Sequence, residues 1–380
     1  MSILAQFLLL CTLMRVLDTT LREGCQRWGV YFSFKTKKKI LTYLSKIGIE
    51  EVEVGVVGEE GLKKLVTFAK ALFSEDKVSV WLRLKEEDIK RGAKLGVGLN
   101  IGTPVSKIHL EKRLKVNEKE FFLRLEKLVK LAVKASPLVT LGLEDSSRAE
   151  KKFVFEVCGL ASSLGVKRIR ISDTLGIFNP LTLAKLVREV KTEFPELEIG
   201  FHGHNDFGMA TANSLTALIS GADWVDVSVL GMGERAGIAP LEQVITYLCF
   251  YHDKSYDLRL LPKLCHYVAL KAKQSISDFS PILGKKLFYC ESGLHVDGIK
   301  KSPELYEPFP PEVLGLKRRL FIGAKSGRSA VKNILEEWRL EISENSLGTL
   351  VKKIRKLAIK LGRPLKKDDI KKHLGLYTNG

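Results

Sequence analysis

The chain alternates between short stretches rich in β-branched residues and longer stretches whose apolar residues recur at helical spacing. This alternation repeats eight times before residue 252. The predicted strands are 15–19, 51–54, 78–83, 98–102, 138–143, 168–172, 199–202 and 224–229. The predicted helices are 37–47, 59–73, 86–95, 118–135, 150–164, 181–194, 209–220 and 240–251.

Eight strand–helix units in about 240 residues have the size and order of a parallel (β/α)8 barrel, an α/β fold. The competing architecture is a doubly wound open sheet. It is disfavoured because the first strand–helix turn lacks G-x-G-x-x-G, and because polar residues follow several non-adjacent strands. We predict a catalytic barrel over residues 14–254. Residues 255–380 would form a C-terminal, mainly helical accessory region with a loop at 284–298 and a basic helical tail.

The chain is strongly basic, with 62 Lys and Arg against 44 Asp and Glu, a formal net charge of +18. Residues 343–380 hold ten basic and three acidic residues, whereas the rest of the excess is diffuse. Such a charge fits an anionic substrate, a lysine-rich solvated surface or a polyanionic partner. Aromatic residues are not interleaved with the basic ones, which disfavours nucleic-acid binding. A basic nucleic-acid-binding protein on an inactive barrel remains the alternative from another class.

Six widely spaced cysteines without a C-x-x-C pair exclude a disulfide framework and a cysteine-type zinc site. We therefore expect a reducing, cytoplasmic setting. The apolar stretch 7–11 is not preceded by basic residues and is too short to span a bilayer. We predict no membrane partner, and we expect residues 1–13 to be dispensable.

Two histidines end the seventh predicted strand, in the sequence His202-Gly203-His204. Residues i and i+2 of a strand face the same side, so both imidazoles can point at one ion from the barrel mouth. Glu23, after the first strand, can add a carboxylate. Three protein ligands leave open positions for substrate oxygens, as a Lewis-acid site requires. The simpler interpretation is that the two histidines form an ordinary hydrogen-bonded pair.

Other polar residues follow the first, fifth and sixth predicted strands. Arg22 is a fixed cation able to stabilise an enolate or alkoxide oxygen, and its alternative role is a salt bridge to Asp18. Glu144 is a candidate for proton transfer. Asp145 and Asp173 better fit caps of the helices that follow them.

Seven motifs together resemble the acyl-CoA-condensing synthases of the metal-dependent aldolase-like barrels, the family of homocitrate, 2-isopropylmalate and citramalate synthases. The resemblance extends from about residue 15 to residue 330. Its motifs are DTTLREG at 18–24, EDSSRA at 144–149, SDTLG at 172–176, HGHND at 202–206, GMGERAG at 231–237, GLHVDG at 293–298 and SGR at 326–328.

The resemblance implies an acyltransferase that performs a Claisen condensation of acetyl-CoA with a 2-oxo acid, followed by thioester hydrolysis. It implies one divalent metal ion (Mg, Mn or Zn) held by Glu23, His202 and His204. Arg22 would polarise the ketone of the 2-oxo acid.

The same resemblance assigns further roles. Glu144 and His295 would remove a proton from the acetyl methyl group, with Tyr306 assisting. Gln26, Glu53 and Thr174 would bind substrate. The family's loop around His295 usually reaches a partner subunit, which implies a homodimer.

Within this family the chain looks most like the homocitrate synthases, which use 2-oxoglutarate, and only some fifty residues follow Arg328. The alternatives are 2-isopropylmalate and citramalate synthases. Lys85 and Thr140 stand where lysine-biosynthesis enzymes often have His and Arg, so the pattern is closer to enzymes of nitrogen fixation. We expect Arg83 or Lys85 to pair with the distal carboxylate of the substrate. Cys25 and Ala324 also depart from the family pattern and are expected to tune the enzyme.

Overall fold

The computed structural model describes residues 14–136, 138–340 and 342–374. The chain divides into two compact units between Ser275 and Ile276. The sequence prediction placed this boundary after residue 254. The difference arises because one more helix, Leu261–Lys271, packs in the first unit and buries its Leu264 and Val268 there.

The first unit is a closed barrel of eight parallel strands in chain order, with the eighth strand paired to the first. The predicted barrel is therefore confirmed. The strands are β1 Arg15–Asp18, β2 Glu51–Val56, β3 Val78–Arg83, β4 Gly98–Pro104, β5 Val139–Glu144, β6 Arg168–Asp173, β7 Glu198–Gly203 and β8 Trp224–Val227. The last strand is shorter than predicted, because the chain turns at Val229–Gly231 with Leu230 at a φ of 59°.

Helices follow the strands and cover the outside of the barrel. They are α1 Phe34–Ile47, α2 Leu62–Lys70, α3 Glu86–Ala93, α4 Glu118–Ala135, α5 Lys151–Ser163, α6 Pro180–Glu193, α7 Ala210–Ile219, α8 Leu241–Tyr251 and α9 Leu261–Lys271. Local capping explains several of their ends. Asn117 and Glu120 form a reciprocal capping box at the start of α4, and Gly48 ends α1 at a φ of 96°.

The interior of the barrel carries charged layers as well as apolar ones. Glu51 and Glu53 alternate along β2, and Arg168 and Arg170 alternate along β6, so all four side chains point inward. Arg168 pairs with Glu51 at 2.9 Å, and Arg170 pairs with Glu53 at 2.8 Å. Pairing is required, because an unpaired charge at this depth would cost several kcal/mol.

The second unit contains two short paired strands and four helices among its described residues. These are β9 Tyr289–Cys290, α10 Gly293–Lys301, β10 Arg319–Leu320, α11 Arg328–Glu337, α12 Glu344–Leu361 and α13 Lys367–Leu374. Its own core includes Ile334, Leu350 and Ile354. Along α12 the basic residues, such as Lys352 and Lys356, are exposed, as expected of a solvated lysine face.

In the described ranges no helix is both long and apolar enough to cross a bilayer. The prediction about residues 1–13 falls outside those ranges.

The five cysteines that the structure describes are all free thiols. Burial raises the pKa of the Cys25 thiol to about 11.

Candidate active site and metal centre

A cavity of about 270 Å³ opens at the carboxyl ends of the barrel strands. This is the end at which barrel enzymes carry their active sites. The cavity is lined mainly by polar and charged side chains that come from many different strands and loops. They are Arg22, Glu23, Gln26, Trp81, Asn100, Arg113, Glu144, Arg170, Ser172, Thr174, His202, His204 and Glu234, with Ile101, Gly102 and Gly142 completing the wall.

Glu23, His202 and His204 converge as the sequence predicted. One ligand atom from each residue lies within 4.8 Å of the other two, and all three side chains are buried. Nε2 of His202 is 3.9 Å from Oε2 of Glu23. The histidine rings are nearly perpendicular, with centroids 5.3 Å apart, and a nitrogen of each lies close enough to Glu23 to share one ion.

The Glu23 carboxylate is fixed and kept ionised by its surroundings. Its Oε1 accepts a hydrogen bond from the backbone N–H of Glu234 at 3.0 Å, and its Oε2 contacts the Arg22 guanidinium. Burial opposes ionisation of Glu23, but Arg22 and the two imidazoles outweigh burial and hold the pKa below its ordinary value. The turn that brings Glu234 here needs glycine at Gly237, which has a φ of 83° and no room for a Cβ against the Gly231 carbonyl.

The two histidines are held in different ways. Nδ1 of His202 lies 2.9 Å from Oδ2 of the buried Asp226, which fixes the ring and directs Nε2 towards Glu23. Nδ1 of His204 is buried without a hydrogen-bond partner among the described residues. Burial and the neighbouring His202 lower the pKa of His204 to about 4, so this imidazole is neutral at neutral pH.

This donor set fits a divalent metal ion. It offers an ionised carboxylate, two imidazoles and a buried ring nitrogen that lacks a partner. A carboxylate oriented on the far nitrogen of one histidine is the usual support for a metal-ligating imidazole. Two histidines and one carboxylate suit divalent transition metals such as Mn, Fe or Zn.

Arg22 lies between two buried carboxylates rather than against Asp18. Its Nη1 contacts Glu23, and its Nε donates to Oε2 of Glu53. Burial lowers the pKa of Arg22, but Glu53 and Glu23 outweigh burial and raise it above the ordinary value. Asp18 instead accepts hydrogen bonds from the backbone and hydroxyl of Thr20, so the alternative salt bridge to Asp18 is wrong.

A continuous buried network supports the site from below. Glu53 accepts hydrogen bonds from Asn100 at 2.7 Å and Arg170 at 2.8 Å, and Arg170 also pairs with Asp226 at 3.0 Å. Asp226 in turn holds His202. The network therefore links the Arg22 guanidinium to the metal-site histidine through alternating charges.

Glu144, Thr174 and Gln26, to which the resemblance gave roles in proton transfer and substrate binding, also line the cavity. Glu144 ends β5 and forms an ion pair with Arg113. The Thr174 hydroxyl accepts a hydrogen bond from the backbone N–H of Asp145 at 2.8 Å and keeps its own hydrogen for another acceptor.

The remaining predicted substrate ligands lie elsewhere. Glu53 is buried beneath the cavity and bonded to protein groups on all sides. Arg83 turns its guanidinium to Asp88, with contacts of 2.7 and 3.0 Å, and does not line the cavity. Lys85 is exposed at the start of α3. Trp81, two residues before Arg83 on the same face of β3, occupies the cavity wall instead.

Asp145 and Asp173 do not cap helices as the sequence suggested. Asp145 binds the Ser106 hydroxyl and the Arg148 guanidinium. Asp173 accepts hydrogen bonds from the backbone N–H groups of Ile177 and Phe178, in the loop that precedes α6. Both carboxylates therefore shape the loops at the barrel rim.

His295 and Tyr306 belong to the second unit. His295 is exposed on α10, and its ring centroid lies 4.3 Å from that of Tyr306. A Cβ at Gly298 would overlap the Tyr306 ring, so this glycine allows Tyr306 to lie against the helix. The two rings form a preassembled pair within their own unit.

Sequence reasoning missed Trp81, Asn100, Arg113, Arg170 and Asp226. For two of them a signal exists. Arg170 lies between Ile169 and Ile171 in β6, and Asp226 is the charged residue of the short apolar strand β8. Charged residues at such positions face a barrel interior only when they have partners there. Arg113 lies in a loop, where no periodicity indicates the direction of a side chain.

Comparison with known proteins agrees with this geometry. Residues 14–267 match the family model described as HMGL-like, and residues 282–361 match the model described as homocitrate synthase post-HMGL domain-like. The chain is 36% identical over 355 residues to 2-isopropylmalate synthase 2 of Caldanaerobacter subterraneus subsp. tengcongensis, across 92% of each chain. It is 34% identical to homocitrate synthase 1 of Nostoc sp., across 93% of this chain and 94% of that one.

Among solved structures, the HMG-CoA lyase of Acinetobacter baumannii aligns with a TM-score of 0.62 at 18% identity, covering 71% of this chain and 95% of the lyase. This likeness concerns the barrel fold. The matches in sequence show that the chain belongs to the HMGL-like family of barrel enzymes and, within it, to the acyltransferases that include homocitrate and 2-isopropylmalate synthases.

Proposed function

We propose that this protein condenses acetyl-CoA with a 2-oxo acid and then hydrolyses the thioester, releasing CoA. The observation that carries the proposal is the convergence of Glu23, His202 and His204 beside Arg22, in the cavity that also contains Glu144. This combination provides a cation-binding site, a fixed positive charge and a carboxylate able to exchange a proton.

A divalent ion held by Glu23, His202 and His204 would supply Lewis-acid chemistry to the 2-oxo group of the substrate. Arg22 adds a fixed cation beside the same group. Because it is locked between Glu23 and Glu53, its guanidinium needs no rearrangement when negative charge develops on the ketone oxygen.

Proton removal from the acetyl methyl group requires a base. We propose that Glu144, at the cavity wall, and His295, with Tyr306 against it, act together in this step. Thr174 and Gln26 line the same cavity and would orient the 2-oxo acid through hydrogen bonds.

We further propose that the protein works in the cytoplasm as a homodimer. A molar-mass measurement in solution would test the dimer.

We propose 2-oxoglutarate as the 2-oxo acid, giving homocitrate. The cavity wall supports this choice, because it carries the half-exposed guanidinium of Arg113, which suits a carboxylate better than a branched alkyl chain. The alternatives are 2-oxoisovalerate and pyruvate, the substrates of 2-isopropylmalate and citramalate synthases. Homocitrate is a product in both lysine biosynthesis and nitrogen fixation, so this choice of substrate is common to the two pathways.

The test is direct. Purified protein is treated with a chelator and supplied with acetyl-CoA, one 2-oxo acid and Mg²⁺, Mn²⁺ or Zn²⁺, and free thiol release is followed. We expect release only with a metal ion and the highest kcat/KM with 2-oxoglutarate. Glu23→Gln should reduce the rate at least roughly a thousandfold, whereas Glu60→Gln, at an exposed carboxylate, should not change it. Absence of thiol release with every 2-oxo acid and metal would refute the proposal.

A basic nucleic-acid-binding protein on an inactive barrel makes the opposite predictions. It would require no metal, and its binding to DNA would weaken steeply with salt concentration. The buried and mutually ordered groups of the cavity favour the enzyme.

A further inference from the structure

The metal-site residues and the pair Arg113–Glu144 lie on opposite sides of the barrel mouth. Glu23 follows β1 and the two histidines end β7, so both lie next to β8 in the closed order of strands. Glu144 ends β5, and Arg113 lies in the loop after β4. A 2-oxo acid whose 2-oxo and carboxylate oxygens lie at Glu23 and the histidines therefore extends its far end towards β4 and β5.

Glycines of β4 and β5 form part of the far wall of the cavity. A Cβ at Gly102 would overlap Oε1 of Glu144 and would lie 2.7 Å from the Trp81 ring. Gly142, on the neighbouring strand β5, also lines the cavity. Gly102 therefore lets Glu144 and Trp81 lie close against β4 at this end of the cavity.

Arg113 is the cation best placed to serve this space. Arg22 and Arg170, the other arginines of the cavity wall, are buried and each is held by two carboxylates. The Arg113 side chain is 49% exposed and pairs with Glu144 through Nη1. A guanidinium has five N–H donors, so most of those on Arg113 are free to bind a second carboxylate.

The loop that carries Arg113 is tied to the end of β5. Residues His109–Leu114 form a single π-helical turn that ends at Lys115 with a φ of 54°, a rare arrangement that recurs at functional sites. The Ser106 hydroxyl contacts Asp145, and Nε2 of His109 lies 3.9 Å from the same carboxylate. These contacts place the turn, and Arg113 with it, directly against Glu144.

We propose that Arg113 selects a dicarboxylic 2-oxo acid and that this selection releases Glu144 for proton transfer. The distal carboxylate of the substrate replaces Glu144 on the guanidinium. Oε2 of Glu144, occupied by Arg113 in the free protein, then becomes available to accept the proton of the acetyl methyl group. The inference rests on the proposed function and extends it. It assigns substrate selection to Arg113, whereas the sequence analysis expected Arg83 or Lys85 in this role.

Dicarboxylic and monocarboxylic substrates differ in whether they release Glu144 as well as in their affinity for the protein. A distal carboxylate can take the place of Glu144 on Nη1 of Arg113 and can also use its other N–H donors, so the exchange conserves the ion pair. A methyl or isopropyl group cannot replace Glu144, so Arg113 stays on the base. Monocarboxylic 2-oxo acids therefore bind without releasing Glu144.

The test compares Arg113→Ala and Arg113→Lys with Lys112→Ala, a change at an exposed neighbour on the same turn. For 2-oxoglutarate we expect Arg113→Ala to raise KM about tenfold to a hundredfold. With pyruvate the variant should keep its kcat/KM or improve it. The KM of Arg113→Lys for 2-oxoglutarate should lie between the values for Arg113→Ala and the parent protein. Lys112→Ala should match the parent protein in kcat/KM with both substrates.

A second measurement isolates the release of Glu144. In D₂O, 2-hydroxyglutarate, a dicarboxylate without a ketone, should accelerate deuterium exchange of the acetyl-CoA methyl group in the parent protein. Arg113→Ala should exchange without this stimulation. An equal loss with 2-oxoglutarate and pyruvate would show that Arg113 only positions Glu144 and would overturn the inference. If the parent protein used pyruvate but not 2-oxoglutarate, the inference about Arg113 would also be overturned, while the proposed condensation would stand. Absence of turnover with every 2-oxo acid would instead refute the proposed function itself.

Discussion

Asp226→Asn is the substitution that most directly tests how the barrel supports its metal site. Oδ2 of Asp226 lies 2.9 Å from Nδ1 of His202 and 3.0 Å from Nη1 of Arg170, and the side chain is buried. Asparagine has nearly the same shape but no charge. It therefore weakens the hold on the imidazole and leaves Arg170 with Glu53 as its remaining carboxylate partner.

Two magnitudes follow. Loss of the oriented carboxylate behind a metal-ligating histidine typically lowers metal affinity about 10-fold to 100-fold, or about 1.4 to 2.7 kcal/mol. Breaking a buried ion pair costs about 3–5 kcal/mol, and we expect about 3 kcal/mol here because Glu53 still neutralises Arg170. The variant should therefore bind metal more weakly and also unfold at a lower urea concentration.

Mn²⁺ titration calorimetry on chelator-treated protein measures the first effect, and urea unfolding measures the second. Asp223→Asn is the matched control. Asp223 precedes β8, binds the Ile199 backbone N–H at 2.7 Å and pairs with Lys191 at 3.0 Å, away from the metal-site residues. It should lower stability without changing the Kd for Mn²⁺. If the folded Asp226→Asn protein bound Mn²⁺ within twofold of the parent, the argument that Asp226 orients His202 would be refuted.

Two further predictions concern groups outside the metal site. Burial raises the pKa of Glu242 to about 7 from 4.5, so the folded protein retains a proton that the unfolded chain loses, and stability falls as pH rises from about 4.5 to 7. Glu242→Gln keeps an acceptor for the Leu230 N–H without the charge. Its free energy of unfolding should exceed that of the parent by up to about 3 kcal/mol at pH 8 and by little at pH 4.5. Urea unfolding that gives the same difference between variant and parent at both pH values would contradict this. Gly298→Ala should push Tyr306 away from His295 and reduce kcat for thiol release at least about tenfold; an unchanged kcat would exclude Tyr306 from the reaction.

Much of the metal site follows from local pattern. His202 and His204 share a face of β7 because side chains alternate along any strand, and Glu23 reaches them because β1 and β7 both border β8. The barrel follows from eight repeats of strand and helix, each recognisable from its own residues. These features need only short-range periodicity and the closure of the sheet.

The substrate side of the cavity could not be predicted in the same way. Arg83 has a suitable charge and position in the chain, yet it pairs with Asp88 a few residues later and is removed from the cavity. Arg113 comes from a loop whose path depends on contacts with the end of β5. Glu53 is on the expected strand, but it is one layer too deep to touch a ligand.

The sequence by itself thus determined the eight-stranded barrel, the face on which the two histidines lie and the family to which the motifs point. Tertiary structure alone decided which charges face the cavity and which are consumed by partners inside the barrel. The physical reason is that alternation along a strand is a local property of the backbone. The partner of a charged side chain is instead the outcome of competition among groups that are distant in sequence, such as Glu53 with Arg170 or Glu144 with Arg113.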